Sequence, residues 1–475
     1  MARKWVERWD PAPAGQPGSL VPAMKVHPPA ELNQMDWTLP VSKSHAIRWV
    51  ALAAQTGVDM VLHGMSTAGE DVLAMRRCLM QCGIQFTDLD AEGRALPSAE
   101  NADFIPDHRA VSWKVHGRKP EEWRPPGTVL HAGNSGTTLR VLMGLASRWD
   151  VPVMVDGDAN LRRRSFKVML NALEQAGVTV SHGIGPEHLP VLIQGPFEAE
   201  SVALDATASS QPITSLLIAS AGRTVPFSIQ LEGETVSTRH AALTADLCGW
   251  FGAEVEQDER SYSIHPWAPE PRALEVDVVS DASMMAFPLL AAASTGARVH
   301  LLNPPSQDDS LGHELLLDLA PSLGLSVSEG SWRWSPDHVT PCDVNLRDGN
   351  DLITPLCALL ALSGGGVVRG AAHAAHKESN RLNRTVDLLA QFGLVGEVTP
   401  DGVRIEGGQT LQQPTEPVQT WGDHRMHMTA LVLSMGLRQE VLLLGDALYS
   451  VADPNAVERW QEVGARVETV LHQPW

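Results

Sequence analysis

The residues of this 475-residue chain that could do chemistry are clustered in short polar segments directly ahead of apolar stretches. The segment LPVSKSHAIRWVALAA carries Ser42, Lys43, Ser44 and Arg48 in this arrangement. Hydroxyls and free amides at the start of a helix, with cations beside them, bind anions. The segment therefore predicts an anion site, and an ordinary serine cap is the alternative.

A second segment, HAGNSGTTLRVLMGLAS, repeats this design. It contains Gly133, Asn134, Gly136 and Thr137, followed by Arg140 one turn into the predicted helix. Glycines let backbone amides approach a ligand closely, so the loop is suited to an anion. Glycine-rich turns are also common without a ligand, and such a turn is the alternative.

Two further segments also end in apolar helices. DGDANLRRRSFKVMLNAL places Arg162 to Arg164 just before a helix, where three like charges repel one another unless an anion is present. DATASSQPITSLLIAS places two serines and a glutamine, Ser209 to Gln211, in the same position. A solvated basic turn and a helix cap are the respective alternatives.

Acidic and basic side chains occur together in HKESNR (His376 to Arg381) and GDHRM (Gly422 to Met426). A purely structural loop seldom needs both signs of charge within a few residues. Asp351 precedes the apolar run of DLITPLCALLAL, where it could be a proton acceptor, a helix N-cap or both.

A repeated pattern predicts the elements that position these segments. An apolar helical stretch, a glycine and an alternating strand recur six times, at intervals of about 70 residues except for a longer first interval. The glycines are Gly83, Gly177, Gly252, Gly324, Gly393 and Gly464. Each is expected to end its helix with a positive φ, and the polar segment from Leu96 to Gly127 is expected to be an insertion.

The overall composition limits the possible functions. A formal charge of −20 argues against a nucleic-acid or anionic-membrane surface. The five cysteines show no CxxC spacing, so we expect reduced thiols, a cytoplasmic location and no metal site. The sequence contains no uninterrupted apolar stretch of about 18 residues, so we expect no membrane span.

The segments LPVSKS, GNSGTTLR, LRRRSF, SSQ, SDAS (Ser280 to Ser283), HKESNR and GDHRM resemble, in this order, the signature segments of EPSP synthases. The resemblance spans Leu39 to Met426. It implies an α/β protein with the two-lobed enolpyruvyl transferase fold, in which six repeated α/β elements are divided three per lobe. We expect one lobe to comprise residues 1–40 and 280–475 and the other 41–279, with the insertion at about 96–127.

The resemblance also implies an activity. Enolpyruvyl transfer from phosphoenolpyruvate to the 5-hydroxyl of shikimate 3-phosphate would release phosphate without a metal or cofactor, in a monomer that binds only these small molecules. The implied catalytic residues are Asp351, Glu378, Lys43 and His424. Those implied for shikimate 3-phosphate are Lys43, Ser44, Arg48, Ser209, Ser210, Gln211, Ser237, Asp351 and Lys377. Those implied for phosphoenolpyruvate are Lys43, Asn134, Gly136, Thr137, Arg164, Gln211, Arg381 and Arg425.

Three residues depart from the family pattern. Val41 replaces a glycine before SKS, and His240 stands where the family has a tyrosine that contacts the substrate ring. Asp453 lies at or beside the position of a phosphate-binding lysine. These departures favour a paralogous enolpyruvyl transferase with another phosphorylated alcohol as acceptor.

Two further hypotheses are less well supported by the residues. The UDP-N-acetylglucosamine enolpyruvyl transferases share the fold, but their reactive cysteine has no counterpart near Arg162 to Ser165. An inactive ligand-binding member is opposed by the acid–base pair Asp351 and Glu378, which binding alone does not require.

Overall fold

The structure is a computed structural model. It describes residues 20–97, 104–183, 185–207, 209–233, 236, 238–306, 311–312 and 314–472. Ser237, one of the expected substrate-binding residues, lies outside the described residues.

The described chain alternates between helices and strands. The helices are α1 (Lys43–Ala53), α2 (Glu70–Gln81), α3 (Gly136–Ala146), α4 (Ala159–Arg162), α5 (Lys167–Gln175), α6 (Gln211–Ala219), α7 (Thr238–Trp250), α8 (Ala286–Thr295), α9 (Leu315–Leu319), α10 (Ile353–Leu362), α11 (Arg381–Gln391), α12 (His424–Met435) and α13 (Ala456–Glu462). The strands are β1 (Val21–His27), β2 (Gln34–Trp37), β3 (Asp59–His63), β4 (Gln85–Leu89), β5 (Ser112–His116), β6 (Leu130–His131), β7 (Val153–Asp156), β8 (Thr179–His182), β9 (Val191–Gln194), β10 (Ser201–Asp205), β11 (Phe227–Glu232), β12 (Val255–Gln257), β13 (Ser261–Ile264), β14 (Glu275–Asp277), β15 (Arg298–Leu301), β16 (Leu325–Ser328), β17 (Ser331–Trp334), β18 (Cys342–Asn345), β19 (Gly366–Arg369), β20 (Gly396–Thr399), β21 (Gly402–Ile405), β22 (Val441–Leu444) and β23 (Arg466–His472).

The strands within the described residues form six sheets. Five have four strands in the same arrangement, with one parallel pair followed by two antiparallel pairs, as in the order β6-β7-β9-β8. The sixth has the order β22-β1-β23, and β1 pairs antiparallel with both of its neighbours. Six sheets of similar construction confirm the predicted α/β fold built from repeats.

The chain divides into two compact units. We call Val41–Val279 the continuous unit, and Met1–Pro40 together with Ser280–Trp475 the discontinuous unit. Each unit contains three of the sheets and its own apolar core. Helices α1, α3 and α6 are almost wholly buried in the first core, and α8, α10 and α12 in the second.

The six repeat glycines have the backbone conformation that the sequence predicts. Their φ angles lie between +73° and +93°, where a β-carbon is disfavoured. Each glycine lies between a helix and a strand, as Gly177 does between α5 and β8. The helix–glycine–strand prediction is therefore confirmed.

The expected insertion at about 96–127 is only partly right. The structure places β5 (Ser112–His116) inside that segment, where it pairs in register with both β3 and β4. Strand β5 is thus a regular member of its sheet. The extra length is the connection 90–111, which joins β4 to β5, whereas β20 and β21 are joined by a two-residue turn.

All five cysteines are buried and free. Among the described helices, none is long and apolar enough to span a bilayer.

We expect Gly177→Ala to lower stability by about 1–2 kcal/mol, because alanine must adopt the left-handed conformation at φ +85°. Gly249→Ala, inside helix α7, is the matched control. An added β-carbon meets no atom within 4 Å at either position, so steric clash does not contribute. The control should raise stability by up to about 1 kcal/mol. Equal urea-unfolding midpoints for the two variants would contradict the prediction.

Acid should destabilise the protein through His427 in helix α12. Burial lowers the pKa of this histidine to about 4, partly opposed by the backbone of Gly445. Between about pH 6.5 and 4, the unfolded chain binds a proton that the folded chain does not, so the free energy of unfolding falls as pH falls. The loss amounts to roughly 3 kcal/mol.

The measurement is the free energy of unfolding as a function of pH. His427→Gln should flatten its dependence between pH 6.5 and 4. His338→Gln, which changes an exposed histidine, should leave the dependence unchanged. An unchanged slope in His427→Gln would show that other groups cause the acid destabilisation.

Candidate functional site

The polar motifs lie at the amino-terminal ends of helices buried in the two cores. Helix α1 begins at Lys43, α3 at Gly136, α6 at Gln211 and α12 at His424. A side-chain oxygen of the preceding residue caps three of them, since Ser42, Ser135 and Asp423 accept from amides of the first turn. Each end carries a partial positive charge that favours an anion.

In the continuous unit, Gly136 and four other expected residues lie close together. Arg164 donates to Asn134 Oδ1 at 3.0 Å, and Gln211 Nε2 donates to Thr137 Oγ1 at 2.9 Å. Arg140 connects Gly136 with Gln211, because its Nη1 donates to the Gly136 carbonyl at 3.0 Å and to Gln211 Oε1 at 2.6 Å. The structure thus brings Asn134, Gly136, Thr137, Arg164 and Gln211 into one cluster.

Two guanidinium groups meet where Gly136 lacks a side chain. A β-carbon there would lie 3.1 Å from Arg140 Nη1 and 3.2 Å from Arg164 Nη1. Burial, with the charge of Arg164 second, lowers the pKa of Arg140 to about 9. Two neighbouring cations at a helix amino terminus are suited to an anionic ligand.

The three arginines ahead of α5 have different environments. Arg162 is paired with Asp156 at 2.5 Å, and Arg163 is exposed. Only Arg164 is turned to the Gly136 cluster.

Lys43 is joined to the same region through Asp71. Its Nζ lies 3.1 Å from Asp71 Oδ2, and the Asp71 carbonyl accepts from Thr138 Oγ1 of α3 at 2.9 Å. Asp71 is nearly buried, so the pair places a cation at a defined position beside the start of α3.

Arg48 is a buried cation. It donates to Thr244 Oγ1 and Thr214 Oγ1, and to the backbone carbonyls of Ser44 and His240, at 2.7–3.0 Å. Burial lowers its pKa to about 10. Because Arg48 donates to the Ser44 carbonyl, Arg48 helps to fix the first turn of α1, in which Ser44 lies.

The serines ahead of α6 have different roles. Ser209 Oγ accepts from the Gln211 amide at 3.2 Å, which is a capping contact. Ser210 is buried, and its side chain makes no cap. Both adjoin Gln211 and through it the Gly136 cluster.

In the discontinuous unit, Arg381 joins three carboxylates. It donates to Asp423 Oδ2 at 2.9 Å, to Asp351 Oδ1 at 2.8 Å and to Glu378 Oε2 at 2.5 Å. Burial lowers the pKa of Arg381, but Asp423, Glu378 and Asp351 outweigh it, and the net effect is a raised pKa. Arg381 is therefore a permanent cation although only 1% of its side chain is exposed.

A second buried arginine lies beside this group. Arg425 Nη2 donates to Ser283 Oγ at 2.7 Å and lies 3.7 Å from Asp351 Oδ2. Ser283 in turn donates to Asp281. Asp351 therefore faces two guanidinium groups.

The three residues with implied acid–base roles in this unit, Asp351, Glu378 and His424, lie near these arginines. Asp351 lies within a 3-10 turn, Asn350–Leu352, and is not the N-cap of α10. Glu378 pairs with Arg381, and 12% of its side chain is exposed. His424 is buried, and its ring lies within 4.8 Å of the Glu378 and Asp423 carboxylates.

Lys377 lies in the loop before α11. It is half-buried and close to His373. Burial, followed by the charge of Lys377, lowers the pKa of His373 to about 4. The structure thus places the Lys377 charge within electrostatic reach of His373.

Val41, His240 and Asp453, which depart from the family pattern, each contact other protein groups. The amide of Val41 donates to Thr67 Oγ1 at 2.8 Å, and the His240 carbonyl accepts from Arg48. Asp453 is buried and ion-paired with Arg459 at 2.9 Å, so a lysine there would face a guanidinium group. Asp453 therefore compensates the charge of Arg459 in this structure.

Four polar residues of these clusters were not assigned roles from the sequence. They are Asp71, Arg140, Ser283 and Asp423. Asp423 and Ser283 lie inside the segments GDHRM and SDAS, and Arg140 follows Gly136 by one helical turn. A role for Asp71 could not be inferred from the neighbouring residues, because its partner Lys43 is distant in the sequence.

Known proteins resemble this chain over most of its length. The sequence model of the family EPSP synthase (3-phosphoshikimate 1-carboxyvinyltransferase) matches residues 38–459. The 3-phosphoshikimate 1-carboxyvinyltransferase of Methanothermobacter thermautotrophicus is 29% identical over 438 residues, which cover 90% of this chain and 95% of that protein. The protein of the same name from Methanocorpusculum labreanum is 30% identical over 440 residues, with the same coverage of 90% and 95%.

Solved structures agree on the fold. EPSP synthase from Acinetobacter baumannii superposes with a TM-score of 0.71 at 21% identity, covering 94% of this chain and all of that one. The enolpyruvyl transferase NikO from Streptomyces tendae gives 0.69 at 14% identity, covering 96% and 100%. With the family match over most of the chain, the resemblance seen in the motifs is confirmed, and the chain belongs to the EPSP synthase family.

Proposed function

We propose that this chain transfers the enolpyruvyl group of phosphoenolpyruvate to the 5-hydroxyl of shikimate 3-phosphate and releases phosphate. The observation that carries the proposal is the pairing of Arg381 and Arg425 with Asp351 and Glu378. Two buried cations beside two accessible carboxylates can bind an anionic substrate and move protons at the same place. A phosphate-release assay with shikimate 3-phosphate as acceptor is the direct test.

The reaction needs a base, an acid and cations. The acceptor hydroxyl adds to C2 of phosphoenolpyruvate and loses its proton, while C3 gains a proton. Loss of a proton from C3 then expels phosphate from C2, which leaves the enolpyruvyl ether. We assign hydroxyl deprotonation to Asp351 and proton transfer at C3 to Glu378, with His424 beside Glu378.

Further residues are assigned to the binding of each substrate. We assign phosphoenolpyruvate to Lys43, Asn134, Gly136, Thr137, Arg164, Gln211, Arg381 and Arg425. We assign shikimate 3-phosphate to Lys43, Ser44, Ser209, Ser210, Gln211, Ser237, Asp351 and Lys377. We also assign Arg48 to shikimate 3-phosphate; four of its five N–H groups donate to protein oxygens, one of them the Ser44 carbonyl.

A different phosphorylated alcohol is the alternative acceptor. The valine at position 41 and the histidine at position 240 favour it, because they stand where the family has a glycine and a substrate-ring tyrosine. Under this alternative, phosphoenolpyruvate still binds, and only the acceptor differs. Phosphate release with another phosphorylated cyclic alcohol, but not with shikimate 3-phosphate, would favour it.

We further propose a cytoplasmic monomer that acts on these small molecules. The five free, buried cysteines support a reducing compartment. The chain's charge of −20 disfavours nucleic acid as a partner.

Asp351→Asn should abolish most turnover and preserve binding. The change removes a proton acceptor and little volume, so kcat should fall by at least about 100-fold. Phosphoenolpyruvate should bind no more weakly, since Arg381 and Arg425 lose a competing anion. Turnover by phosphate release and affinity by calorimetry check both parts.

Asp343→Asn is the control for this variant, because Asp343 is an exposed carboxylate that also pairs with an arginine, Arg369. Its kinetics should equal those of the wild type. Full activity in Asp351→Asn would remove Asp351 from the mechanism.

Arg164→Gln should weaken phosphoenolpyruvate selectively. Loss of a charge-assisted contact of about 1.5–3 kcal/mol corresponds to a roughly 10- to 100-fold higher KM for this substrate. Arg163→Gln alters an exposed neighbour with the same chemistry and should have little effect. Steady-state kinetics measure the KM for each substrate in both variants. Equal changes in the two variants would contradict the assignment.

A further inference from the structure

The three carboxylates on Arg381 are not equivalent. The side chain of Asp423 is fully buried, whereas 12% of Glu378 and 30% of Asp351 are exposed. An incoming solute can therefore approach the Glu378 and Asp351 contacts but not the Asp423 contact. The network has one enclosed member and two accessible members.

Asp423 is held from several directions. Its carboxylate accepts from Arg381 Nε at 2.9 Å and from Arg381 Nη2 at 3.3 Å. It also accepts from Ser379 Oγ at 2.9 Å and from the Arg425 amide at 2.9 Å. Breaking such a buried, saturated ion pair is costly, so Asp423 stays on Arg381 when a ligand binds.

Glu378 is held to Arg381 differently. Its Oε2 accepts a hydrogen bond from Nη2 of Arg381, which follows Glu378 by three residues in the sequence. A carboxylate from solution that reaches this nitrogen must compete with Glu378, because Nη2 is already shared with Asp423. Formal charge favours exchange over addition, since Arg381 and Arg425 already face three carboxylates.

We propose that the carboxylate of phosphoenolpyruvate replaces Glu378 on Arg381, and that the released Glu378 takes up a proton from solvent. This inference rests on the proposed function, in which Arg381 binds phosphoenolpyruvate. It specifies how substrate binding produces the acid that the reaction needs. The proton then passes from Glu378 to C3, and Glu378 returns to its carboxylate form.

The charges around Glu378 explain the proton uptake. Arg381 is the cation in direct contact, and Lys377 is the adjacent residue in the chain. From α12, the Asp423 carboxylate and the His424 ring lie within 4.8 Å, and Asp351 lies on the far side of Arg381. Once Arg381 binds a substrate carboxylate, Glu378 is left beside an anionic substrate and Asp423, and its neutral form is favoured.

The test is the number of protons taken up when phosphoenolpyruvate binds. Phosphoenolpyruvate alone is titrated by calorimetry in two buffers of different ionisation enthalpy, because it cannot react without an acceptor. We expect the wild type to take up more protons than Glu378→Gln. The difference should be a fraction of a proton, at most one, and should increase from pH 8 to pH 6.

Glu397→Gln, an exposed residue of β20, makes the same chemical change elsewhere in the unit and should match the wild type. Equal uptake in the wild type and Glu378→Gln, with phosphoenolpyruvate bound in both, would overturn the exchange and attribute any protons to another group such as His424. In that case the proposed function still stands if phosphate is released with shikimate 3-phosphate. Absence of phosphoenolpyruvate binding together with absence of turnover would instead reject the proposed function and, with it, this inference.

Discussion

Burial of whole helices is the constraint on which the rest of this structure depends. Every residue of α10 and α12 is buried, and α1, α3, α6 and α8 are nearly so. Such helices have no polar side on which to place charged groups. Their charged residues lie within the first two turns, near the end where unsatisfied amides and the helix dipole attract anions.

The same constraint explains the charged networks. A cation such as Arg381 or Arg425 enters a low-dielectric region only with partners that compensate its charge. Acidic residues are thus required at the same helix ends as the arginines. The segments HKESNR and GDHRM combine both signs because packing and chemistry impose the same requirement there.

Much of the fold was predictable because it depends on local signals. A glycine after an apolar helical stretch has one conformational reason to be there, and Gly177 and its five counterparts have the expected positive φ. The insertion was less predictable, because β5 lies between polar, proline-rich stretches and its membership of the sheet depends on pairing with β3. That pairing has no local signature.

The candidate site was predictable to the level of segments but not of individual contacts. Arg162 to Arg164 look equivalent in sequence, yet only Arg164 contacts Asn134. The partnership of Lys43 with Asp71 and the burial of Arg48 under Ser44 depend on tertiary packing. Pairwise geometry between distant segments is the part that local reasoning cannot supply.

Strand β1 has a consequence for the order in which the chain can fold during synthesis. It precedes the continuous unit in the chain, but its partners β22 and β23 follow that unit. The continuous unit, made in between, contains its own sheets and core and can fold while the ribosome is still working. The discontinuous unit must wait for contacts that join its two distant segments, and such long-range closure is slow. Until β22 and β23 have been made, β1 exposes two unpaired edges, which makes the nascent chain vulnerable to aggregation.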